Sequence, residues 1–320
     1  MNETIAVVGA GIAGLLLARA LKERGEDVVV LEKSRGLGGR LATKRVDAAV
    51  FDTGAQYFTA KSERFAGLVV GWAARGVVLP WPGASAHRWI AQPGMNALGK
   101  FLAQGLDVRR ESKVVKVQRE SGGWKLTVEN QEAMPAGRLA LTAPLPQSLA
   151  LLQAGGVALP QTLAGELAGL TYHPCLALLL TLEGPSAVPA EGVALAAGPV
   201  RWIADNSKKG ISPGVAAAVT VHLSPEFSTE HYEKTETELA ALVIPGIECH
   251  LGSPVVKVAH QRWKFSEPAT PYAQPCLWLP DLGLGLAGDA LGGPRVEAAA
   301  LSGLALAERM TENADAGKVS

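Results

Sequence analysis

The chain has 320 residues, 48% hydrophobic and 19% charged, and its 30 basic and 30 acidic residues give a formal net charge of zero. That length buries a large core and fits two lobes around one crevice, and the composition excludes a disordered chain. No polybasic run supplies a field for nucleic acid or an anionic membrane, and no apolar run approaches the ~20 residues of a membrane helix, so a soluble protein is expected. Cys175, Cys249 and Cys276 lie far apart with no C-x-x-C spacing. They read as small buried hydrophobes in a reducing compartment, and no metal or dithiol chemistry is expected. Ile5–Val8 is too short for a signal-peptide core, and localisation reads as cytoplasmic.

In chain order, Ile5–Val8 reads as a short strand buried on both faces. Gly9-Ala10-Gly11-Ile12-Ala13-Gly14 follows at once, and Leu15, Leu16, Ala18, Ala20 and Leu21 set a helical pattern that stops at Gly25. A second strand, Val28–Leu31, ends in Glu32. Gly9 permits a tight turn, Gly11 lets the backbone approach a pyrophosphate, and Gly14 lets the helix pack closely on the strand. The helix start at Ile12 and Ala13 turns free N–H groups and a positive dipole end toward the anion. Glu32 accepts hydrogen bonds from a ribose diol and disfavours a 2′-phosphate. The glycine pattern by itself is a weak signal, but strand, helix, second strand and terminal acid in order make a dinucleotide-binding unit.

Lys33-Ser34-Arg35-Gly36-Leu37-Gly38-Gly39-Arg40 is a glycine-rich loop carrying cations just past the acid. An NAD domain usually continues into its next helix at this point. The loop resembles the G-G-R element of FAD enzymes of the glutathione-reductase and amine-oxidase type, which implies FAD as the cofactor. Gly39 allows close backbone approach, and Arg40 supplies a fixed fork for a phosphate oxygen. Lys33 and Arg35 are further candidates, and Arg35 reads equally as a solvated surface charge.

Phe51-Asp52-Thr53-Gly54-Ala55-Gln56-Tyr57-Phe58 follows a short strand. The comparable segment of amine-oxidase-like flavoproteins passes close to the flavin, with Gly54 and Ala55 small enough to admit a planar ligand. Gln56 and Tyr57 are candidates for both cofactor and substrate contact, or belong to the core. Residues 61–75 read as a helix, and Trp81, Trp89 and Pro93–Asn96 lead into another. Leu106–Gln118 and Trp124–Glu129 alternate like antiparallel strands around a turn at Gly122-Gly123. By the resemblance, the backbone of Val114 or Val115 meets the adenine. Leu139–Pro144 reads as a strand returning to the nucleotide domain.

A second lobe is expected over roughly 146–275, with a Pro-punctuated helical region, strands near Ala177–Leu182 and Ala216–Leu223, and a helix around Glu230–Leu242. Arg201–Lys209 combines Trp202 with many hydrogen-bonding groups, as a substrate wall or a surface loop would. His260-Gln261-Arg262-Trp263 contributes His260, Arg262 and Trp263 as pocket candidates, although a lone histidine more often satisfies a core hydrogen bond. Leu284–Asp289 reads as a strand ending in an acid, and Gly292–Glu297 opens an Ala/Leu-rich helix with Pro294 at its start. In FAD proteins this arrangement holds the distal half of the cofactor. Gly288 and Asp289 meet the ribityl chain, while Arg295 and the backbone of Val296 face the flavin. Gly283–Gly288 also matches G-x-G-x-x-G, but it sits inside a strand with no helix expected directly after it, so no second nucleotide site is assigned.

Together these stretches resemble the renalase family, a branch of the amine-oxidase-like flavoproteins. The carrying residues are Gly9–Gly14, Lys33–Arg40, Asp52–Ala60, His260–Trp263, Gly288-Asp289 and Arg295-Val296-Glu297. The chain departs from the family pattern at Pro294, Ala298 and Gln261.

The fold class implied is α/β with an α+β second lobe. A Rossmann-like FAD-binding domain of the glutathione-reductase/amine-oxidase type (residues 1–60, 95–145 and 276–320) joins a discontinuous mixed-sheet substrate domain (61–94 and 146–275). The activity implied is oxidation of 2- or 6-dihydro-NAD(P), hydride passing to flavin N5 and then to O2 to give NAD(P)+ and hydrogen peroxide. A monomer or weak dimer is expected. No catalytic base is identified, because aromatisation drives the hydride transfer. Two other readings stand beside this one. One is an amine oxidase, with Trp263 and Tyr172 or Trp202 as facing rings, and the other is a flavin-binding protein without turnover.

Overall fold

The structure is a computed structural model, and it describes residues 3–84 and 87–316. It is a mixed α/β chain with two compact units. The first comprises residues up to Gly39, Gly99–Thr171 and the chain from Pro268, and the second comprises Arg40–Leu98 and Tyr172–Glu267. Residues 40–60, grouped by sequence with the nucleotide-binding part, cluster in the second unit, where Ala49 and Phe51 pack on Leu179 and Ala218. Residues 146–171 cluster in the first, where Gly155 presses on the Val117 carbonyl so closely that a Cβ would lie 1.7 Å from its oxygen.

The first unit is built on a six-stranded sheet in the order Leu277–Leu279, Leu284–Leu286, Arg138–Leu141, Ile5–Val8, Val28–Leu31, Asp107–Arg109. All neighbours are parallel except the Leu277–Leu279 edge. Every residue of Ile5–Val8 and Val28–Leu31 is buried, which is why these strands show runs of Ile and Val rather than alternation. Helix Ile12–Glu23 is followed by Gly25 at φ +84°, a left-handed stop that glycine adopts without strain. The long helix Val296–Ala316 packs on it through Gly303, where a Cβ would lie 2.1 Å from the Ala13 carbonyl oxygen.

The expected strand Leu106–Gln118 is two strands. Asp107–Arg109 joins the parallel sheet, while Val114–Glu120 pairs with Gly123–Val128 and, beyond it, Met134–Ala136 in a separate antiparallel sheet. The break is a turn at Glu111, whose φ is +54°. After strand Leu284–Leu286 a single helical turn, Asp289–Gly292, does open directly behind Gly288. It is one turn long, and no strand follows it among the described residues. Pro294 precedes the start of the long helix, where the Arg295 carbonyl accepts the first bond from Ala299, so it lies outside the first helical position.

The second unit holds a five-stranded sheet in the order Val193–Ala194, Val200–Asp205, Ala217–Leu223, Tyr172–Leu182, Val255–Pro268, whose first four strands pair antiparallel. Its two faces separate by residue parity. Leu176, Leu178, Leu180, Ile203, Val219 and Val221 form one apolar face packed beneath Leu239, Val243, Ile247 and Leu251. The opposite face carries Leu179 and Ala218 with the polar positions between them. Trp202 lies on strand Val200–Asp205, and the expected helix at 230–242 is two helices, Pro225–Glu230 and Glu236–Val243. The second begins with a capping box, Thr235 with Glu238, whose T-x-x-E signature is present in the sequence.

Among the described residues no helix is long and apolar enough to cross a membrane. The cysteines are all free, but only Cys276 is fully buried and Cys249 is exposed, against the expectation that all three pack inside. Cys249 falls in the one-turn helix Glu248–Leu251, whose inward residue is Leu251.

Gly303→Ala should destabilise the protein by about 1–3 kcal/mol, because the helix pair has no room for a methyl group. Urea denaturation measures it, and an unchanged midpoint would show that the two helices can separate without loss.

Candidate functional site

In the first unit, four parallel strands bring their carboxyl ends side by side. Glu32 follows Leu31, Gly9 follows Val8, Thr142 follows Leu141, and Ala287-Gly288 follows Leu286. The ends of parallel strands are where open α/β sheets receive ligands. Gly9 turns the chain at φ +110°, and Gly14 is pressed on it, a Cβ there lying 2.0 Å from the Gly9 oxygen. Gly11, the N-cap of the helix, faces open space. The loop after Glu32 closes over this turn: Gly38 donates to the Ala10 carbonyl, and Gly39 packs on Gly11 with a Cβ position 3.2 Å from its Cα.

Glu32 is buried, and its two carboxylate oxygens accept separate backbone bonds, from Ala10 N at 2.9 Å and Ser34 N at 2.8 Å. It therefore joins the glycine turn to the following loop. The Ser112 amide donates to the Glu32 carbonyl, which brings the start of strand Val114–Glu120 beside the acid. Val115 falls at an irregularity in that strand's ladder, between Val114 and Lys116. Arg35 is exposed, and Lys33 reaches Gln147 at 3.2 Å. Asp289 is buried at the start of its helical turn, Arg295 is exposed, and Val296 is half-buried. Thr142, which the sequence reading missed, donates to the carbonyls of Val8 and Gly9 at 3.0 and 3.1 Å and braces the turn from the neighbouring strand. Open space at Gly11, beside a helix N-terminus and a buried acid, fits the phosphate and ribose of a dinucleotide.

In the second unit the organising residue is Asp52. One carboxylate oxygen accepts from Thr43 Oγ1 and Met95 N, both at 2.8 Å, and the other from Lys209 Nζ at 2.7 Å. Both side chains of this ion pair are fully buried. The backbone of Asp52 is held as well. Its N–H donates to Asn206 Oδ1, and its carbonyl accepts from Thr220 Oγ1 and Gln56 Nε2. Thr53, the next residue, has its carbonyl gripped by Trp263 Nε1 at 2.8 Å and His222 Nε2 at 3.1 Å. Gly54 lies against the Arg40 carbonyl, a Cβ position 2.0 Å from the oxygen, so its smallness serves contact within the chain. Ala55 donates to that same oxygen. Gln56, with its Nε2 committed to Asp52, leaves Oε1 buried and without a partner among the described residues, as a residue awaiting a donor on a ligand would.

The polar face of the five-stranded sheet supplies the surrounding side chains. Trp202 stands across from His222, and His222 across from Ala177, so the three project on one side. Tyr57, Trp81 and Trp202 form a three-ring cluster with centroids 5.5 to 6.1 Å apart. The Arg88 guanidinium stacks on all three, 4.6 Å from Tyr57, 5.4 Å from Trp202 and 5.9 Å from Trp81. Lys209 Nζ lies 5.3 Å from the Trp81 ring. The indole N–H groups of Trp81 and Trp202 are buried and unpaired among the described residues.

The sequence set His260, Arg262 and Trp263 does not converge. Trp263 holds Thr53, but His260 binds Glu236 at 2.8 Å, and Arg262 donates to the carbonyls of Glu233 and Lys234. Strand parity sends 260 and 262 toward the helical side. Trp263 is not ring-paired with Tyr172 or Trp202 among the described residues, since Tyr172 meets Phe265 and Trp202 meets Tyr57 and Trp81. Arg40 Nη1 donates to the carbonyls of Phe265 and Ser266 at 3.4 and 3.0 Å. His222 and Arg88 are absent from the sequence candidates, and Asp52, Trp81 and Lys209 enter the sequence reading only as members of longer stretches.

Two titrations matter here. Loss of water around His222 lowers its pKa from 6.5 to about 4, with Lys209 and Arg201 adding to the shift and the Thr53 bond and Glu267 opposing it. The ring is therefore neutral at physiological pH. Burial pushes the Cys175 thiol up to about 12, which removes it as a nucleophile.

Residues 7–75 match the NAD(P)-binding Rossmann-like domain family, and residues 73–311 match the flavin containing amine oxidoreductases. A curated relative, 4-hydroxybenzoate brominase (decarboxylating) of Pseudoalteromonas luteoviolacea, is 26% identical over 136 residues, which is 41% of this chain but 23% of the brominase. The chain thus spans less than a quarter of that relative. Among solved structures, cyclohexylamine oxidase from Brevibacterium oxydans superposes with a TM-score of 0.73 at 12% identity, over 98% of this chain and all of that one. An engineered putrescine oxidase gives 0.74 at 14% identity, over 97% and 99%. These likenesses are of fold.

Glu32→Ala removes the acceptor for two backbone N–H groups and should weaken FAD retention roughly 10- to 100-fold at charge-assisted hydrogen-bond strengths, without changing the bound spectrum. Equilibrium dialysis against FAD tests this, and wild-type affinity in the variant would refute the assignment of the turn. For His222 the folded pKa is below the unfolded one, so the unfolded chain binds more protons between about pH 6.5 and 4. Its contribution is full above 6.5 and is lost as pH falls to about 4. Denaturation midpoints from pH 7 to pH 4 should therefore fall more steeply for wild type than for His222→Phe, and parallel curves would contradict the neutral assignment.

Proposed function

Because the chain belongs to the flavin containing amine oxidoreductases and takes FAD as its cofactor, we propose that it oxidises dihydronicotinamide dinucleotides, the 2- or 6-dihydro forms of NAD(P), as the renalase family does. The observation that supports this reading is the ring cluster of Tyr57, Trp81 and Trp202. Arg88 is the cation stacked on all three rings, while Lys209, beside Trp81, has its charge balanced by Asp52. A protonated amine would meet like charge there, whereas a planar ring carried on a pyrophosphate would meet stacking surface and a complementary field.

When bound, FAD would supply the hydride-accepting and oxygen-reducing chemistry by which a dihydro-NAD(P), O2 and one proton become NAD(P)+ and hydrogen peroxide. The protein's own share is positioning. The clamped carbonyls of Asp52 and Thr53 hold the Gly54–Tyr57 segment in place, and the buried polar groups around it are fixed before any ligand arrives. Aromatisation of the dihydropyridine drives the transfer, so no general base is assigned. Three unpaired cysteines suit a reducing, cytoplasmic compartment.

Anaerobic mixing of the holoenzyme with 6-dihydro-NAD should bleach the flavin absorbance, while cyclohexylamine and putrescine leave it unchanged. Readmitted oxygen should then yield one hydrogen peroxide per dinucleotide oxidised. Bleaching by the amines alone would replace this proposal with amine oxidation, and no bleaching by any reductant would leave a flavin-binding protein without turnover.

A further inference from the structure

Three rings of the second unit stand around a cation that belongs to the chain itself. Tyr57, Trp81 and Trp202 meet at interplanar angles of 49°, 50° and 65°, so no two are parallel and their faces form a cup rather than a stack. The Arg88 guanidinium carbon sits 4.6 Å from the Tyr57 centroid, 5.9 Å from Trp81 and 5.4 Å from Trp202. All three lie within the roughly 6 Å over which a ring face attracts a cation.

The walls and the occupant are seated by local structure. Trp81 is buried, and its N–H donates to the Arg88 carbonyl at 2.8 Å, which sets the two residues opposite each other across one loop. The turn Pro189–Gly192 serves both Trp202 and Arg88. Gly192 lies against the Trp202 ring, where a Cβ would be 2.5 Å from Cζ2, and the adjoining Glu191 carbonyl accepts from Arg88 Nη1 at 2.9 Å. Among the described residues that carbonyl is the only hydrogen-bond acceptor for the guanidinium, and no acid pairs with it. Lys209, the other cation beside the cup, is neutralised by Asp52. Ring faces and one carbonyl therefore hold Arg88 with its charge unbalanced.

We infer that Arg88 determines specificity as a tethered occupant: it fills a cup that would otherwise take an organic cation, and so keeps protonated amines off the three ring faces. A guanidinium suits this part, because it is weakly hydrated and stacks on aromatic faces. The tether gives it an effective concentration of about millimolar or more, so a free ammonium ion must displace it as well as approach a like charge. The inference rests on the reading of this cluster as part of the substrate site, and it deepens that reading by naming the residue that refuses amines. A neutral ring meets no such repulsion.

The test is ligand-observed NMR titration of the oxidised holoenzyme with methylguanidinium, with methylurea as its neutral analogue of similar shape, and with cyclohexylammonium. Wild type should show no preference for either cation over methylurea. Arg88→Ala should bind methylguanidinium roughly 5- to 30-fold more tightly than methylurea, and should gain affinity for cyclohexylammonium. Arg88→Lys, which restores a tethered cation, should lose both gains, and Tyr57→Leu added to Arg88→Ala should reduce them by removing one wall. Flavin content and visible spectrum report folding, and Arg88→Gln repeats the measurement if Arg88→Ala does not retain FAD. An emptied cup that treats methylguanidinium and methylurea alike overturns the inference, as does a wild type that binds the cations as tightly as the variant. Reduction of the flavin by 6-dihydro-NAD with no cation preference in the variants sinks the inference alone. Cation binding confined to the variants, with no dihydronicotinamide reducing the flavin, leaves the tethered occupant standing and sinks the functional reading. Bleaching of the wild-type flavin by cyclohexylamine overturns both.

Discussion

The second unit depends on a buried ion pair. Asp52 and Lys209 are both fully buried, and desolvating two charges costs several kcal/mol per ion, which their mutual attraction offsets only when the remaining hydrogen-bonding capacity is also used. Asp52 meets that condition. Its carboxylate also accepts from Thr43 and Met95, its N–H reaches Asn206, and its carbonyl receives Thr220 and Gln56. One residue thereby joins the hairpin Thr43–Asp52, the turn at Met95 and the central strands of the sheet. Removing either charge would strand the other in the interior, so the pair specifies one arrangement of these elements.

From that fixed point the geometry of the following residues is determined. With the Asp52 and Thr53 carbonyls both held by side chains of the sheet, the chain must pass Gly54 against Arg40 and deliver Gln56 and Tyr57 to defined places. The first unit uses a comparable device with different chemistry. There a single buried carboxylate, Glu32, accepts from two backbone N–H groups and holds the glycine turn and the loop behind it in one conformation.

The first unit was largely legible in the sequence because its signals are local. The run IAVV, the three glycines, the helical pattern to Gly25 and the acid after VVVL each belong to one stretch of chain, and the α/β architecture follows from their order. The polar centre of the second unit was not, because it is assembled from residues 43, 52, 95, 206, 209, 220 and 222, which strands and turns far apart in sequence bring together. Lys209 read as part of a polar run, and His222 as one residue of an apolar strand. The grouping of His260 and Arg262 with Trp263 failed for a related reason. Adjacency in sequence means opposite faces in a strand, and the period-two rule already contained that information. The break between Glu230 and Glu236 was also readable, from the T-x-x-E cap at Thr235.

The parity of the five-stranded sheet has an evolutionary consequence. Leu176, Leu178, Leu180 and Leu182 and the odd-numbered positions of Ala217–Leu223 belong to the apolar layer, while their alternates carry Thr220, His222 and Ala177. Selection acting on what the protein recognises and selection acting on whether it stays folded therefore fall on interleaved codons of the same strands, with little shared side-chain contact. Such a scaffold can change the ligand it faces without repacking its apolar layer, and a fold shared with oxidases of cyclohexylamine and putrescine is in keeping with that freedom.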